Sequence, residues 1–556
     1  MGLNNMFVDT RQLEEGSVIR SEVCIIGGGV AGISLALEFE KHGIETCLLE
    51  SGGFKADEAT RDLYRGESVG IPYRFADGCR GRFLGGSSNC WGGWCQPLQE
   101  HDFERREWVP NSGWPFGKSE LEPYYERSHS LLKLGPNRYD VDFWVDAIGK
   151  PQIQPIALNA ARVVTGISQF SPPARFGTLY RDELAKSKST RVYLYANAVD
   201  IEVDADRAIR SVQVKTLTGR AVVAAAKIFV LATGGIENAR LLLASNKVRA
   251  NGLGNDNDLV GRFFMDHPRV FTGKIHFRKG WSGHMLYDVL FNYLNKAIAA
   301  HGACVAAQFA LSPQLQANER LLNARICFSS LFFGQDTEAR EALGRIKHRF
   351  ARDAEFDQSL AHDIFAVSAH PTLLAQLVLA RVLRRPQLIK HSRFQAIVEP
   401  LPDPASRVTL SSECDRLGVN RVKVDWRLGA QVKHTFDRTL AIIAEELTSA
   451  GVADVVLDPP IEGGDWPSSF EKEGSWHHMG TTRMDDSPKL GVVDRKCRVH
   501  GTSNLYVAGS SVFPTAGGDF PTITIVALAL RLSDHIAGEM RQPAVLRGPM
   551  KEALQA

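Results

Sequence analysis

Val23-Cys24-Ile25-Ile26-Gly27-Gly28-Gly29-Val30-Ala31-Gly32 is the stretch that decides the fold. An apolar strand runs into Gly27-x-Gly29-x-x-Gly32, and Ile33-Ser34-Leu35-Ala36 continue as a helix. Gly27 permits the tight strand-to-helix turn, Gly29 lets a pyrophosphate approach the backbone, and Gly32 lets the helix pack closely on the strand. The start of that helix offers free N–H donors and a partial positive charge to phosphates. A second apolar run, Thr46-Cys47-Leu48-Leu49, ends on Glu50, eighteen residues after Gly32. An acid there accepts hydrogen bonds from both ribose hydroxyls, which favours FAD or NAD over NADP. A glycine triplet alone is weak; strand, turn, helix, strand and terminal acid in register are much stronger.

Outward from this unit, the pattern returns. Residues 227–235 read as a buried strand ending on Gly234-Gly235, followed by a helix from Glu237. Residues 504–510 form a strand meeting a turn, and Pro521 falls in the first turn of an apolar helix over 522–536, where proline is tolerated. Between them the texture changes. Strand-like stretches at 269–277, 305–311, 395–400, 407–411 and 421–426 alternate with helical ones at 371–385 and 432–449. The last is amphipathic, with Phe436, Leu440, Ile443 and Leu447 on one face. The expected class is α/β. A discontinuous Rossmann-like dinucleotide domain takes residues 1–269 and is closed by 462–541. An α+β substrate domain with an antiparallel sheet occupies 270–461, and 542–556 form a tail.

The 556 residues are too many for one small core, and 44% hydrophobic with 23% charged is ordinary for a globular chain. A net charge of +2 gives no field for nucleic acid or acidic lipid. No apolar run approaches the ~20 residues that span a bilayer, so no transmembrane segment is expected. The acidic start lacks the look of a secretory signal. The nine cysteines are scattered, odd in number and free of Cys-x-x-Cys pairs, which suits buried thiols in the cytoplasm and gives no metal site. Residues 74–96 are rich in glycine but also hold Phe83, Trp91 and Trp94, poor linker residues, so this backbone is expected to press against something flat or charged. Near the other end stands Ser475-Trp476-His477-His478-Met479-Gly480-Thr481. With the front motif it points to a flavin enzyme with a histidine base.

These residues together resemble the glucose–methanol–choline (GMC) family of FAD oxidoreductases. The resemblance spans nearly the whole chain and is weakest in the middle. Its carriers are Gly27–Gly32 with Glu50, Arg82-Phe83-Leu84-Gly85-Gly86-Ser87-Ser88, Ala232-Thr233-Gly234-Gly235, and Val260-Gly261-Arg262-Phe263-Phe264-Met265-Asp266-His267-Pro268. They continue with His477–Thr481, Gly509-Ser510-Ser511-Val512-Phe513-Pro514-Thr515 and Pro521-Thr522-Ile523-Thr524. Residues 399–410 and the terminal segment look most like the pyranose-oxidase and sugar- or polyol-dehydrogenase branch; aminoglycoside alcohol oxidases are also similar. The resemblance implies an FAD site made by Gly27, Gly29, Gly32, Glu50, Gly85, Gly86, Ser87, Ser88, Val199, Gly509, Ser510, Pro521 and Thr522. It implies that the helix after Pro521 faces the flavin and offsets the charge of its reduced form. The implied reaction oxidises a CH–OH group of a sugar, aminocyclitol, aminoglycoside or polyol by hydride transfer to flavin N5. His477 takes the hydroxyl proton, a task suited to an imidazole whose free pKa is about 6.5. The implied partners are a small alcohol and an electron acceptor such as oxygen, a quinone or a redox protein.

Two positions depart from the family's pattern. Where it places histidine or asparagine as a second catalytic group, this chain has Phe520, which cannot hydrogen-bond an alkoxide. Either Asp519 takes over with a shifted backbone, or His477 works alone, or the chemistry differs; for Asp519, capping the following helix is the simpler role. Phe520 also leaves open a non-redox lyase of the hydroxynitrile type, with FAD only structural; a non-catalytic binding protein is disfavoured by intact His477. Where some relatives attach FAD through a histidine, this chain has Cys90, and noncovalent flavin is expected. His478 is expected to point away from the reaction, His267 to be a structural hydrogen-bonding group, and Arg483 to pair with Asp485 or Asp486.

Overall fold

In a computed structural model of the chain, residues 6–541 are described except 74–78, 173, 205–206, 279–282, 333–337, 353–358, 373–374, 376–388, 460–465, 467–469, 471–474 and 519. Val23 to Ile26 are buried, as expected of a central strand flanked on both edges. Their strand, Val18–Ile26, pairs in parallel with Thr46–Leu49 on one side and Ala221–Leu231 on the other. Thr190–Leu194 and Phe7–Asp9 extend the parallel sheet beyond Thr46–Leu49. Ala221–Leu231 carries two partners on its far edge. Its first half pairs antiparallel with Ile209–Lys215, itself paired with Asn197–Val203, while its end, Phe229 to Leu231, pairs in parallel with Leu505–Val507. The nucleotide layer is therefore discontinuous in sequence. The helix Val30–Lys41 packs on this sheet, and the C-terminal helix Thr522–Arg541 packs on that helix and on Glu122–Leu132.

The second sheet is antiparallel throughout, in the order Ala453–Val456, Arg269–Phe277, Ile389–Val398, Ala324–Phe332, Ala303–Leu311, Val163–Phe170 and Trp94–Cys95. Alternation along its strands gives it two faces. Val270, Phe394, Ala396 and Val398 belong to a core shared with the helix Ala430–Ser449, whose Phe436, Leu440, Ile443 and Leu447 are buried. Arg269, Gln395 and Ile397 alternate with them and line a cavity on the opposite side.

The sheets do not divide at the expected boundaries of 269/270 and 461/462. The antiparallel sheet recruits Trp94–Cys95 and Val163–Phe170 from the N-terminal part, and Gly66–Gly70 pairs in parallel with Asn420–Trp426 from the middle part. These are long-range pairings with no local signature. The helix expected over 371–385 lies largely outside the described residues, as does the tail 542–556. Among the described residues no helix is long and apolar enough to cross a membrane, and no group of three or more His, Cys, Asp or Glu could hold a metal ion.

Candidate active site

The first part of the site is a backbone cradle. Gly29 is the N-cap of Val30–Lys41 with no side-chain cap, and no acid stands in the first turn, so this helix start is open to an anion. Gly32 is forced by packing, since a Cβ there would sit 1.9 Å from the Gly27 carbonyl oxygen. Gly85 and Gly86 close the cradle from above. The Gly85 N–H donates to the Gly28 carbonyl at 2.8 Å, and a Cβ on Gly86 would lie 2.8 Å from the Gly29 Cα. Glu50 is buried at the end of its strand. One carboxylate oxygen accepts from the Gly28 N–H at 3.0 Å and the other from the Gly52 N–H at 2.9 Å. Burial raises its carboxyl above the ordinary range, while those backbone donors and Arg82 oppose the shift. Each oxygen keeps a lone pair for a ribose hydroxyl.

From this cradle a cavity of about 390 Å³ runs to the antiparallel sheet. Gly27, Gly29, Glu50, Gly86, Ser87, Ser88 and Val199 line its nucleotide end, and Gly509, Ser510, Pro521 and Thr522 line it farther along. Gly32 and Gly85 are not part of the lining; they act one layer behind it. A long cleft with a glycine floor, an uncapped helix start and an acid at a strand end fits a dinucleotide. Pro521 immediately precedes Thr522–Arg541 instead of lying inside its first turn, and that turn also has no acid. Cys90 lies on the wall, and its thiol donates to the Ser87 carbonyl at 3.3 Å. Tyr64, Arg80, Arg82 and Glu237 also line the cavity; Arg80 and Arg82 each bond Glu237 at 3.1 Å.

His477 stands at the far end of the cavity with Trp476, Trp94, Phe520, Arg269 and Gln395. Its backbone is anchored by Asp266, whose carboxylate accepts the N–H of Trp476 at 3.0 Å, the N–H of His477 at 2.7 Å and the Tyr73 hydroxyl at 2.5 Å. Asp266 is fully buried, and burial raises its carboxyl to about 7 against those stabilising donors. Trp476 has φ 56°, the left-handed turn that swings His477 toward the cavity. The His477 ring lies with its Nδ1 3.0 Å from Nδ1 of His267. Burial, then the charges of His267, Arg269 and His478, hold the His477 pKa well below the ordinary value, so it is neutral. Phe520 meets the His477 ring edge-on at 5.8 Å and packs on Trp94 at 5.1 Å. Position 520 thus presents an apolar wall.

The remaining expectations divide. His478 also touches the cavity, but its ring stacks on Phe264 and meets Tyr73 edge-on; burial pushes its pKa down to about 3. Arg483 does not pair with Asp486, which bonds Arg495. Its guanidinium is buried, donates to the Asn111 carbonyl at 2.9 Å and stacks over Phe263; the charge of Asp485 bears on it, opposing the lowering of its pKa by burial. Asp519 lies outside the described residues. Sequence reasoning missed Tyr73 and the role of Asp266, although Asp266 directly precedes His267, and it missed Arg269 and Gln395. The signal for the last two was strand alternation: they share a face with Ile397.

A dinucleotide cleft that ends on a neutral imidazole defines a class, the nucleotide-cofactor oxidoreductases. Residues 22–250 match the family model described as FAD dependent oxidoreductase, and residues 402–529 match that of the GMC oxidoreductase. The chain is 22% identical to the fructose dehydrogenase large subunit of Gluconobacter japonicus, covering 94% of this chain and 99% of that one. It is 24% identical to paromamine 6'-oxidase of Streptomyces fradiae, covering 93% and 92%. In fold it is similar to formate oxidase of Aspergillus oryzae RIB40, with a TM-score of 0.53 at 16% identity over 95% of this chain and 99% of the other. The chain thus carries a GMC oxidoreductase domain at residues 402–529 and is an FAD-dependent oxidoreductase.

Proposed function

We propose that this enzyme oxidises a CH–OH group of a sugar, aminocyclitol, aminoglycoside or polyol, with His477 as proton acceptor. The carrying observation is the place of His477, neutral at the end of the cavity and tied to His267 through Nδ1, which leaves Nε2 for a substrate hydroxyl. The substrate class rests on the relatives named for fructose and paromamine and on the polar wall of Arg269 and Gln395. When bound, FAD accepts the hydrogen and electron pair lost from the carbinol carbon. The chain's part is to hold that carbon and to take the hydroxyl proton, a task that contributes ~10²–10⁴-fold in rate.

FAD is held noncovalently, in this reading, by the backbone around Gly27, Gly29, Gly86 and Ser87, by Glu50 on the ribose, and by Val199, Gly509, Ser510 and Thr522 along the rest of the cavity. The residues before about 270 and after about 461 form most of the FAD part, and the antiparallel sheet forms the substrate part. The electron acceptor is oxygen, a quinone or a redox protein. All nine cysteines are free, which supports a cytoplasmic setting. The non-redox lyase reading finds no support in the relatives reported above.

The test is anaerobic. Purified protein is mixed with a panel of sugars, aminocyclitols and polyols while the flavin band is followed. Bleaching by at least one of them is expected, slowed ~10²-fold or more in His477→Ala. Persistent colour with every compound, or full-rate bleaching in the variant, would sink the reading. Intact mass after denaturation should equal that of the polypeptide alone; one added FAD would overturn the noncovalent assignment and place Cys90 under suspicion.

A further inference from the structure

His267 is fully buried and makes two ring contacts. Its Nε2 lies 2.7 Å from the Gly517 carbonyl oxygen, and its Nδ1 lies 3.0 Å from Nδ1 of His477. A carbonyl oxygen only accepts, so Nε2 of His267 carries the hydrogen. In a neutral ring the other nitrogen is then a bare lone pair. Nδ1 of His477 faces that lone pair and must be the donor. The second nitrogen of His477, Nε2, is therefore the unprotonated one.

We propose that His267 is a positioning residue for the reaction: with the Gly517 carbonyl it fixes His477 in the Nδ1–H form, so that Nε2 is always the free base. The inference rests on His477 being the base. In the step it serves, the substrate O–H bond breaks, the proton bonds to Nε2 of His477 and the electron pair stays on the substrate oxygen. His477 keeps its Nδ1–H bond to His267 throughout. A buried histidine in the opposite tautomer would present a hydrogen to the substrate hydroxyl and could not take its proton; a wrong tautomer costs about 10⁴ in the serine-protease triad.

The surroundings keep both rings neutral. His267 is held below the ordinary histidine pKa by burial, opposed by the Gly517 carbonyl and by the charges of Glu399 and Asp102. His477 faces His267, Arg269 and His478, all of which disfavour a second positive charge. Gly517 has φ +61°, and a Cβ there would come 2.6 Å from a Leu98 methyl, so the loop bearing its carbonyl is sterically fixed. This arrangement also explains how the site works with Phe520: the order is imposed from behind the base, from the Met265–Pro268 motif, and not from the position across the substrate.

The test uses the holoenzyme, with His267→Leu removing the acceptor and His267→Asn restoring one near the place of Nδ1. The expected result for His267→Leu is a ~10²–10⁴-fold loss in kcat for anaerobic flavin reduction, with KM little changed and the oxidised flavin spectrum intact. Its rate should also rise with pH relative to the wild type, since the hydroxyl must then ionise unaided; Asp266, which accepts the His477 N–H, titrates in both proteins and cancels in the ratio. His267→Asn should recover at least tenfold over Leu. Independently of turnover, ¹⁵N chemical shifts of histidine-labelled wild type, assigned through His477→Ala, should show His477 protonated at Nδ1 and bare at Nε2. Wild-type kcat in His267→Leu, a loss that keeps the wild-type pH profile, or His477 protonated at Nε2 would overturn the proposal. If the Leu variant fails to hold flavin, the wild-type ¹⁵N result decides alone. If His477→Ala reduces flavin at full rate, the base reading falls, while the ¹⁵N shifts still judge the tautomer.

Discussion

Asp266 offers the sharpest thermodynamic check. Its carboxyl is raised by burial to about 7, against 3.8 for the free side chain. Between those values the unfolded chain has released a proton that the folded chain keeps. Stability from this group is thus fullest below pH 4, falls as pH rises, and is lost by the time pH has passed about 7. From about pH 5.5 to 7 the slope is ~1.4 kcal/mol per pH unit, a loss of about 2 kcal/mol that is complete by about pH 8.5. Asp266→Asn removes the titration but keeps the shape. Its oxygen accepts the His477 N–H and its amide donates to the Tyr73 hydroxyl, while the Trp476 N–H loses its acceptor, a cost that is the same at every pH. Every other titrating group is common to both proteins, so it cancels in their difference. Unfolding entropy of about 2.1 cal/mol/K per residue, over a chain of this length, converts 2 kcal/mol into a shift of about 2 °C. The assay is thermal release of flavin fluorescence from both holoproteins at about pH 5.5 and 8.5. The wild type should lose ~2 °C relative to the variant on going to the higher pH. An unchanged gap, or a wild type that gains, would refute the claim that Asp266 is held mainly by burial.

Two further outcomes follow from packing. Gly32→Ala should give protein that binds no flavin, read as loss of absorbance in the visible band, because its Cβ would sit 1.9 Å from the Gly27 carbonyl oxygen; a yellow variant would show that the helix can retreat. Glu399→Gln should cost about 3–5 kcal/mol, read as a large fall in melting temperature, since Arg106 donates to both Glu399 oxygens, at 2.8 and 2.5 Å, in a fully buried pair. A melting point within a degree of wild type would mean that the Arg106 charge finds another partner.

What was legible in the sequence was local. Gly27, Gly29, Gly32 and Glu50 stand within one βαβ unit, and the turn, the helix start and the acid each impose a residue type at a fixed spacing. The place of His477 could be read for the same reason, inside a short motif. What escaped was long-range. Tyr73 and Asp266 are 193 residues apart, and Arg106 and Glu399 are 293 apart; no periodicity announces either meeting. The strand Val163–Phe170 holds Gly166 and reads weakly alone, and its pairings with Ala303–Leu311 and Trp94–Cys95 make it a strand. Arg483 meets the Asn111 carbonyl, 372 residues away in sequence, while Asp486 bonds Arg495.

Trp94 and Cys95 follow directly on the glycine-rich loop that walls the cofactor cavity, and they are also the last strand of the antiparallel sheet, paired with Phe170 and Gln169. One piece of backbone is therefore shared by floor and ceiling. Trp94 is at once a wall of the cavity, a rung of the sheet and a ring packed on Phe520, so a change in its bulk acts on both layers together.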